Sequence, residues 1–275
     1  VKYAQLVVGD ETVGAPLVIE PMLSPVRARD GFTHDLIEAA EARDDGALRE
    51  LARLSSESRD ARKQRVELEE GTRIFSGYRI YPKRDVILET SLGDMRIATR
   101  PGAAPTASFT FVRLAEGGFY DGVVFHRVVT DDGRGRPFVI QSGDPTGRGW
   151  GGAGFYNDFE QSDLPHDFGI LSVARRPFDP NTNGSQFFIC LSREACAPLD
   201  GLYTSFAAVV SGASVIDAMT TLDMVMEGEG AEAVPTDRPI EPPVIERARA
   251  VPSPAVDRFA TRVTREDAER SESRR

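Results

Sequence analysis

One arginine, two glutamines and several aromatic side chains fall in three short runs of this 275-residue chain. The first run is Phe125-His126-Arg127 and the second is Phe138-Val139-Ile140-Gln141-Ser142-Gly143-Asp144. The third is Pro180-Asn181-Thr182-Asn183-Gly184-Ser185-Gln186-Phe187-Phe188-Ile189. A guanidinium stays protonated at any working pH and presents a rigid fork of donors, and a carboxamide both donates and accepts. Beside apolar rings, such groups can grip a polar backbone without any covalent step. Other chemistries lack their signatures. His34, His126 and His166 have no metal-ligand spacing. Gly147, Gly149 and Gly152 satisfy G-x-G-x-x-G, but Trp150 and Phe155 stand where a dinucleotide site needs a helix start. No nucleophile elbow surrounds Ser185. Asn183-Gly184-Ser185 spells a glycosylation sequon, yet it sits inside the third run.

With the Gly-rich stretch from Gly143 to Gly154, these runs stand in the order found in cyclophilins. The chain resembles that family of peptidyl-prolyl cis/trans isomerases, in a bacterial-type form, over residues 84–251. The resemblance implies isomerisation of X–Pro bonds in peptides and folding proteins, with proline-containing polypeptides as partners and no cofactor. The rival reading is a weakly active proline-peptide binding, scaffold or chaperone module. Rotation about an X–Pro bond faces a barrier of roughly 18–20 kcal/mol, because resonance gives the C–N bond double-bond character. A catalyst need only favour the twisted state, by aiming a fixed donor at the pyramidal nitrogen and holding the ring in an apolar slot. Removing ~5–7 kcal/mol corresponds to ~10⁴–10⁵ in rate, which positioning and preorganised electrostatics can supply.

The same resemblance makes Arg127 the catalytic donor and Gln141 the residue that holds it and reaches the substrate carbonyl. Gln186 lines the groove. The proline slot maps onto Phe138, Val139, Phe187 and Leu199, with Tyr203 beside it, and the backbone at Ala174 and Arg175 pairs with substrate. Val139 replaces the family's usual Met, which loosens the slot. Pro198 stands where many relatives carry a Trp that contacts cyclosporin, so weak cyclosporin binding is expected. Residues 130–137 are longer than in most relatives, polar and Gly-containing, and are expected to form a mobile loop near Arg127. Arg134, Arg136, Arg175 and Arg176 are expected to make a cationic rim that favours acidic residues near the substrate proline. His126 is expected to hydrogen-bond within the barrel rather than act as a base.

These residues need a scaffold, and short strands at frequent intervals with Gly-rich turns favour a barrel or sandwich. The resemblance selects a mainly β fold, an eight-stranded antiparallel closed β-barrel capped by two helices. The pattern predicts a hairpin of residues 86–90 and 95–98 around Leu92-Gly93-Asp94. A helix follows from Pro105, with Phe109, Val112 and Leu114 facing inward and Gly117-Gly118 as its stop. A second helix is expected over 213–222 and a closing strand over 244–251. Residues 1–83 form an extension outside the resemblance. It starts with strand and loop around Leu6-Val7-Val8 and continues as a helical hairpin. Leu36, Ile37 and Ala40 share one helical face, and Leu48, Leu51 and Leu54 share another. Residues 33–70 are a possible surface for a protein partner. Residues 252–275 read as a polar tail.

A net charge of −10 argues against nucleic acid as a partner. No run approaches the ~18 apolar residues of a membrane span, which suggests a soluble protein. The chain opens with Val1-Lys2-Tyr3 rather than Met, which reads as a trimmed or processed start and leaves bacterial cytoplasm and periplasm both open. Cys190 ends an apolar run and reads as a buried thiol, with a disulfide to Cys196 as the alternative.

Overall fold

The computed structural model describes residues 84–176, 179–228 and 235–253 with their side chains, and the backbone of residues 2–8, 11–24, 27–28, 74–81 and 234. The expected helical faces of Leu36, Ile37, Ala40, Leu48, Leu51 and Leu54, the partner segment 33–70 and the tail after Ser253 lie outside the described residues. The chain divides into two compact units, Val1–Glu20 with Arg79–Arg275, and Pro21–Tyr78. Among the described residues, no helix is long and apolar enough to cross a membrane.

The N-terminal strands are β1 (Lys2–Val8), β2 (Glu11–Ser24), β3 (Arg27–Ala28) and β4 (Ile74–Tyr81). β1 runs antiparallel to β2, from Lys2 opposite Ile19 to Val8 opposite Glu11. There follow β5 (Arg84–Thr90), β6 (Gly93–Thr99), helix α1 (Pro105–Glu116), β7 (Arg127–Val129), β8 (Val139–Ser142), β9 (Phe155–Tyr156) and β10 (Ile170–Val173). The chain continues through β11 (Phe187–Cys190), α2 (Arg193–Cys196), β12 (Ser205–Ser211), α3 (Ala213–Thr220), β13 (Met224–Glu227), β14 (Val234–Pro239) and β15 (Ile245–Pro252).

Eight strands form one antiparallel sheet in the order β15-β5-β6-β12-β10-β11-β8-β7. It is a mainly β half-barrel, open where a closed barrel was expected. The end strands β15 and β7 form no ladder with each other. A single bridge, Val124 opposite Val244, joins the residues just before them. Backbone hydrogen bonds from Gly122 N–H to the Ile245 carbonyl, from Ile245 N–H to that of Val123 and from Phe125 N–H to that of Pro243 make this junction, ahead of β7 itself. The β5–β6 hairpin forms as its alternation predicts, with Thr90 opposite Gly93 at the turn.

The inner face of the sheet buries Leu88, Ile97, Phe125, Ile140, Leu171, Phe187, Ile189 and Phe206 in one core. α1 begins at Pro105, whose fixed φ and missing N–H suit a first helical turn. Ala104 offers no side-chain cap, and Glu160 takes that place. Its carboxylate accepts hydrogen bonds from the Thr106 and Ala107 N–H groups, both at 2.8 Å. The buried stripe is Ala107, Ser108, Phe111, Val112 and Ala115, with Phe109 and Leu114 only at its borders. The small residues let the helix approach β12 closely enough for the Ser108 hydroxyl to donate to the Phe206 carbonyl at 3.2 Å. α3 adds Val215, Ile216 and Met219 to the same core and ends two residues before the expected Leu222.

Candidate active site

Side chains alternate between the two faces of a strand, so register decides which sequence-distant residues meet. Arg127 on β7 lies opposite Gln141 on β8, Gln141 opposite Phe188 on β11, and Phe188 opposite Ser172 on β10. A parallel row runs Val129, Val139, Cys190. The outer face of the sheet therefore carries the arginine, one glutamine and an apolar floor within four adjacent strands. Val129, Val139, Phe188, Cys190 and Cys196 form a buried cluster separate from the main core, and Phe138, Ala174, Leu199 and Tyr203 pack on it partly exposed. Leu199 and Tyr203 come from the turn after α2, where Tyr203 N–H donates to the Leu199 carbonyl at 3.1 Å.

Phe187 does not join this cluster. Expected in the slot, it lies 1% exposed in the main core with its ring 5.3 Å from Phe111 and 5.7 Å from Tyr120. One step along the strand reverses the face, so its neighbour Phe188 is the outward aromatic. Phe188 is held by Tyr203, edge-on at 5.6 Å, and by His166, stacked at 6.0 Å. His166 is fixed in turn by Asp200 at Nδ1 and by Ser172 Oγ at Nε2, each at 3.0 Å. Burial lowers the His166 pKa despite the opposing hydrogen bond to Asp200. The Arg193 guanidinium, 2.6 Å from Asp200, holds that carboxyl well below the usual range.

The two glutamines meet, though not at Arg127. Gln141 Nε2 donates to Gln186 Oε1 at 2.8 Å, and Gln186 Nε2 donates to the Gly149 and Gly151 carbonyls, both at 2.9 Å. This amide relay ties the groove to the Gly-rich loop, which is wound around Asp144. The Asp144 carboxylate accepts from the N–H groups of Thr146 and Gly151 and from the Thr146 hydroxyl, each at 2.8 Å. Burial works against this carboxylate, yet these donors outweigh it and lower its pKa. Two glycines are required here by close approach. A Cβ on Gly151 would lie 1.7 Å from Asp144 Oδ1, and one on Gly143, which also has φ of 92°, would lie 2.3 Å from the Ser185 carbonyl oxygen. The G-x-G-x-x-G run is thus a loop that supports a glutamine.

Arg127 instead pairs with Asp237 of β14, through Nε at 3.1 Å and Nη2 at 3.0 Å, both to Oδ2. This partner was not foreseen, and its 110-residue separation leaves no local signal. Residues 130–137, expected as a mobile loop, carry hydrogen bonds of their own. Asp131 Oδ1 accepts from the N–H groups of Gly133 and Gly135, while Asp132 Oδ1 accepts from that of Arg134. The Asp132 carboxylate also pairs with Arg136, whose Nη1 donates to the Glu194 carbonyl at 3.3 Å. Arg136 is therefore engaged by its own loop and by α2, not offered to a rim. Arg175 lies 4.3 Å over the Tyr203 ring and donates to the Leu202 and Arg176 carbonyls, and Ala174 N–H donates to the Gln186 carbonyl at 2.9 Å.

His126 is buried, and burial lowers its pKa against the opposing charge of Asp144. The internal hydrogen bond expected of it is poorly formed: the Val124 backbone acts on the ring, but neither ring nitrogen reaches full hydrogen-bond geometry among the described residues. Cys190 and Cys196 are both free, buried thiols, and the Cys196 thiol donates to the Phe138 carbonyl at 3.1 Å. Pro198 is exposed on the turn between α2 and Tyr203. Among the described residues, no group of three or more His, Cys, Asp or Glu side chains could hold a metal ion.

Comparison with known proteins bears on the same region. Residues 85–250 match the family model of the cyclophilin type peptidyl-prolyl cis-trans isomerases. The chain is similar to the peptidyl-prolyl cis-trans isomerase ppi1 of Schizosaccharomyces pombe, 45% identical over 172 residues, covering 61% of this chain and 99% of that relative. It is 40% identical to a peptidyl-prolyl cis-trans isomerase-like 1 protein of Aspergillus oryzae over 61% of this chain and 95% of that one. Among solved structures, a cyclophilin type isomerase of Cryptosporidium parvum, crystallised in the presence of the dipeptide Ala-Pro, is similar at 30% identity. Its TM-score is 0.52, covering 62% of this chain and 99% of that chain. With relatives that are fungal and plant, the expected bacterial character finds no support.

Proposed function

The chain belongs to the cyclophilin type peptidyl-prolyl cis-trans isomerases and is an enzyme of that family, and on that premise we propose how its own residues act. The substrate proline enters the partly open pocket of Phe138, Val139, Leu199 and Tyr203, with Phe188 as its floor. Arg127, in the adjacent row, donates a hydrogen bond to the proline nitrogen as the amide twists. The observation that carries this reading is the register that puts Arg127, Gln141 and Phe188 in one line across three strands. The apolar floor immobilises the ring while the arginine meets a lone pair that exists only in the twisted state. Binding is thereby strongest where the barrier is highest. Gln141 and Gln186 act as one relay that shapes the groove beside the slot, and the backbone at Ala174 and Arg175 borders it. Catalysis is assigned to residues 84–251, with residues 1–83 as an extension outside it. Proline-containing polypeptides are the substrates, and the exposed Pro198 gives cyclosporin less contact than an indole would.

The test is a protease-coupled assay on a short X–Pro peptide. Arg127→Ala should lower turnover about 10²-fold or more with an unchanged melting temperature. Arg127→Lys should recover little, since a point charge does not reproduce the planar fork. Wild-type turnover in the Ala variant would remove Arg127 from the mechanism.

A further inference from the structure

We propose that Asp237 is the positioning residue for Arg127, doing the work expected of Gln141. The proposal rests on the reading of Arg127 as the donor. Nε and Nη2 make up one edge of the planar guanidinium, and both turn to Asp237 Oδ2, at 3.1 and 3.0 Å. With that edge occupied, the Nη1 end is presented as the remaining donor edge. A long, flexible side chain is thereby steadied at its tip, with its Nη1 end left for a substrate. Gln141 does not fill this role here: among the described residues the side-chain contacts of Arg127 go to Asp237, while Gln141 is turned to Gln186, itself pinned to Gly149 and Gly151.

Asp237 reaches Arg127 from the part of β14 where its register with β13 shifts. β14 pairs antiparallel with β13, with Met224 opposite Pro239 and Met226 opposite Pro235, and these contacts bracket Asp237 on its strand. The interaction is also of suitable strength. Both side chains are about half accessible, 40% for Arg127 and 48% for Asp237, so solvent and salt screen the pair. It biases the rotamer of Arg127 without locking the guanidinium away from substrate. Asp237 touches no substrate in this scheme and acts only through Arg127.

Steady-state kinetics of the full chain with Asp237→Ala, Asp237→Asn and Asp237→Glu tests this, with Arg127→Ala measured beside them. Asp237→Ala and Asp237→Asn should each lower kcat about 2- to 5-fold, the range of one exposed ion pair, with KM nearly unchanged. Asp237→Glu should restore most of the loss. The Arg127 side-chain Nε–H resonance should shift and exchange faster with water in the Ala and Asn variants, while melting temperatures stay level. Unchanged kcat in the Ala and Asn variants alongside an inactive Arg127→Ala would overturn the positioning role and leave the donor reading intact. Faster turnover in those variants would also overturn it, by showing that Asp237 competes with substrate. Full activity in Arg127→Ala would bring down the donor reading and this proposal together.

Discussion

Which of two adjacent phenylalanines faces outward decides how the pocket is built. Phe187 packs against Phe111 and Tyr120 in the main core, and Phe188 forms the floor of the outer cluster. Truncating Phe187 should therefore cost stability, about 3–5 kcal/mol for a buried ring, read from denaturant unfolding. Phe188→Ala also removes a buried ring and should cost stability too, but unlike Phe187→Ala it should in addition lower kcat/KM for X–Pro peptides by roughly 10-fold or more, since a lost apolar contact in a binding site costs about 1–3 kcal/mol. A Phe187→Ala protein of normal stability, or a Phe188→Ala enzyme with normal kcat/KM, would reverse this assignment. The sequence could not phase this strand, because Phe187-Phe188-Ile189-Cys190 is buried on both faces and carries no polar residue to mark the alternation. That Arg127 faces Gln141 and that Phe138, Val139, Leu199 and Tyr203 gather in one cluster was legible, because motif order survives any error of phase. Asp237 was not, because nothing local ties it to β7.

Elements whose signals are local formed as read. The β5–β6 hairpin and the start of α1 at Pro105 follow from alternation and from proline chemistry. Two element-level features needed contacts between distant residues. Glu160 caps α1 from a loop 54 residues away from Thr106. Glu160→Ala leaves the first-turn N–H groups without their carboxylate and should destabilise the fold by about 1–2 kcal/mol, as for other lost N-caps. Thermal or denaturant unfolding checks this, and an unaltered midpoint would show that water replaces the carboxylate at no cost. The hydrogen bonds within residues 130–137 had a signal that mobility arguments ignore. Asp131 and Asp132 precede two glycines at spacings where aspartate side chains accept backbone N–H groups.

At the scale of the whole molecule, two buried histidines set how the fold responds to acid. Burial lowers the pKa of His166 and of His126, so the folded state keeps both neutral where the unfolded chain would protonate them near pH 6.5. The unfolded state then binds more protons, so this stability is fully present above about pH 6.5 and is lost as pH falls through the lowered values. Denaturant midpoints should drop between about pH 7.5 and about pH 5. A midpoint that rises on acidification would show that other groups dominate. Barrel closure was the part of the architecture least legible in the chain, because it depends on the pairing of two strands more than a hundred residues apart. β7 and β15 form no ladder, and the sheet stays open.

That short end strand has a consequence for how the enzyme fails. Arg127 opens β7, and β7 is laddered on one side only, to β8. Detaching three residues from a sheet edge costs far less than dissolving the core beneath it. The proposed donor thus rides on an edge strand that only Val128 and Val129 of its three residues tie to the buried clusters, so turnover should fade in denaturant before the core's tertiary signal does.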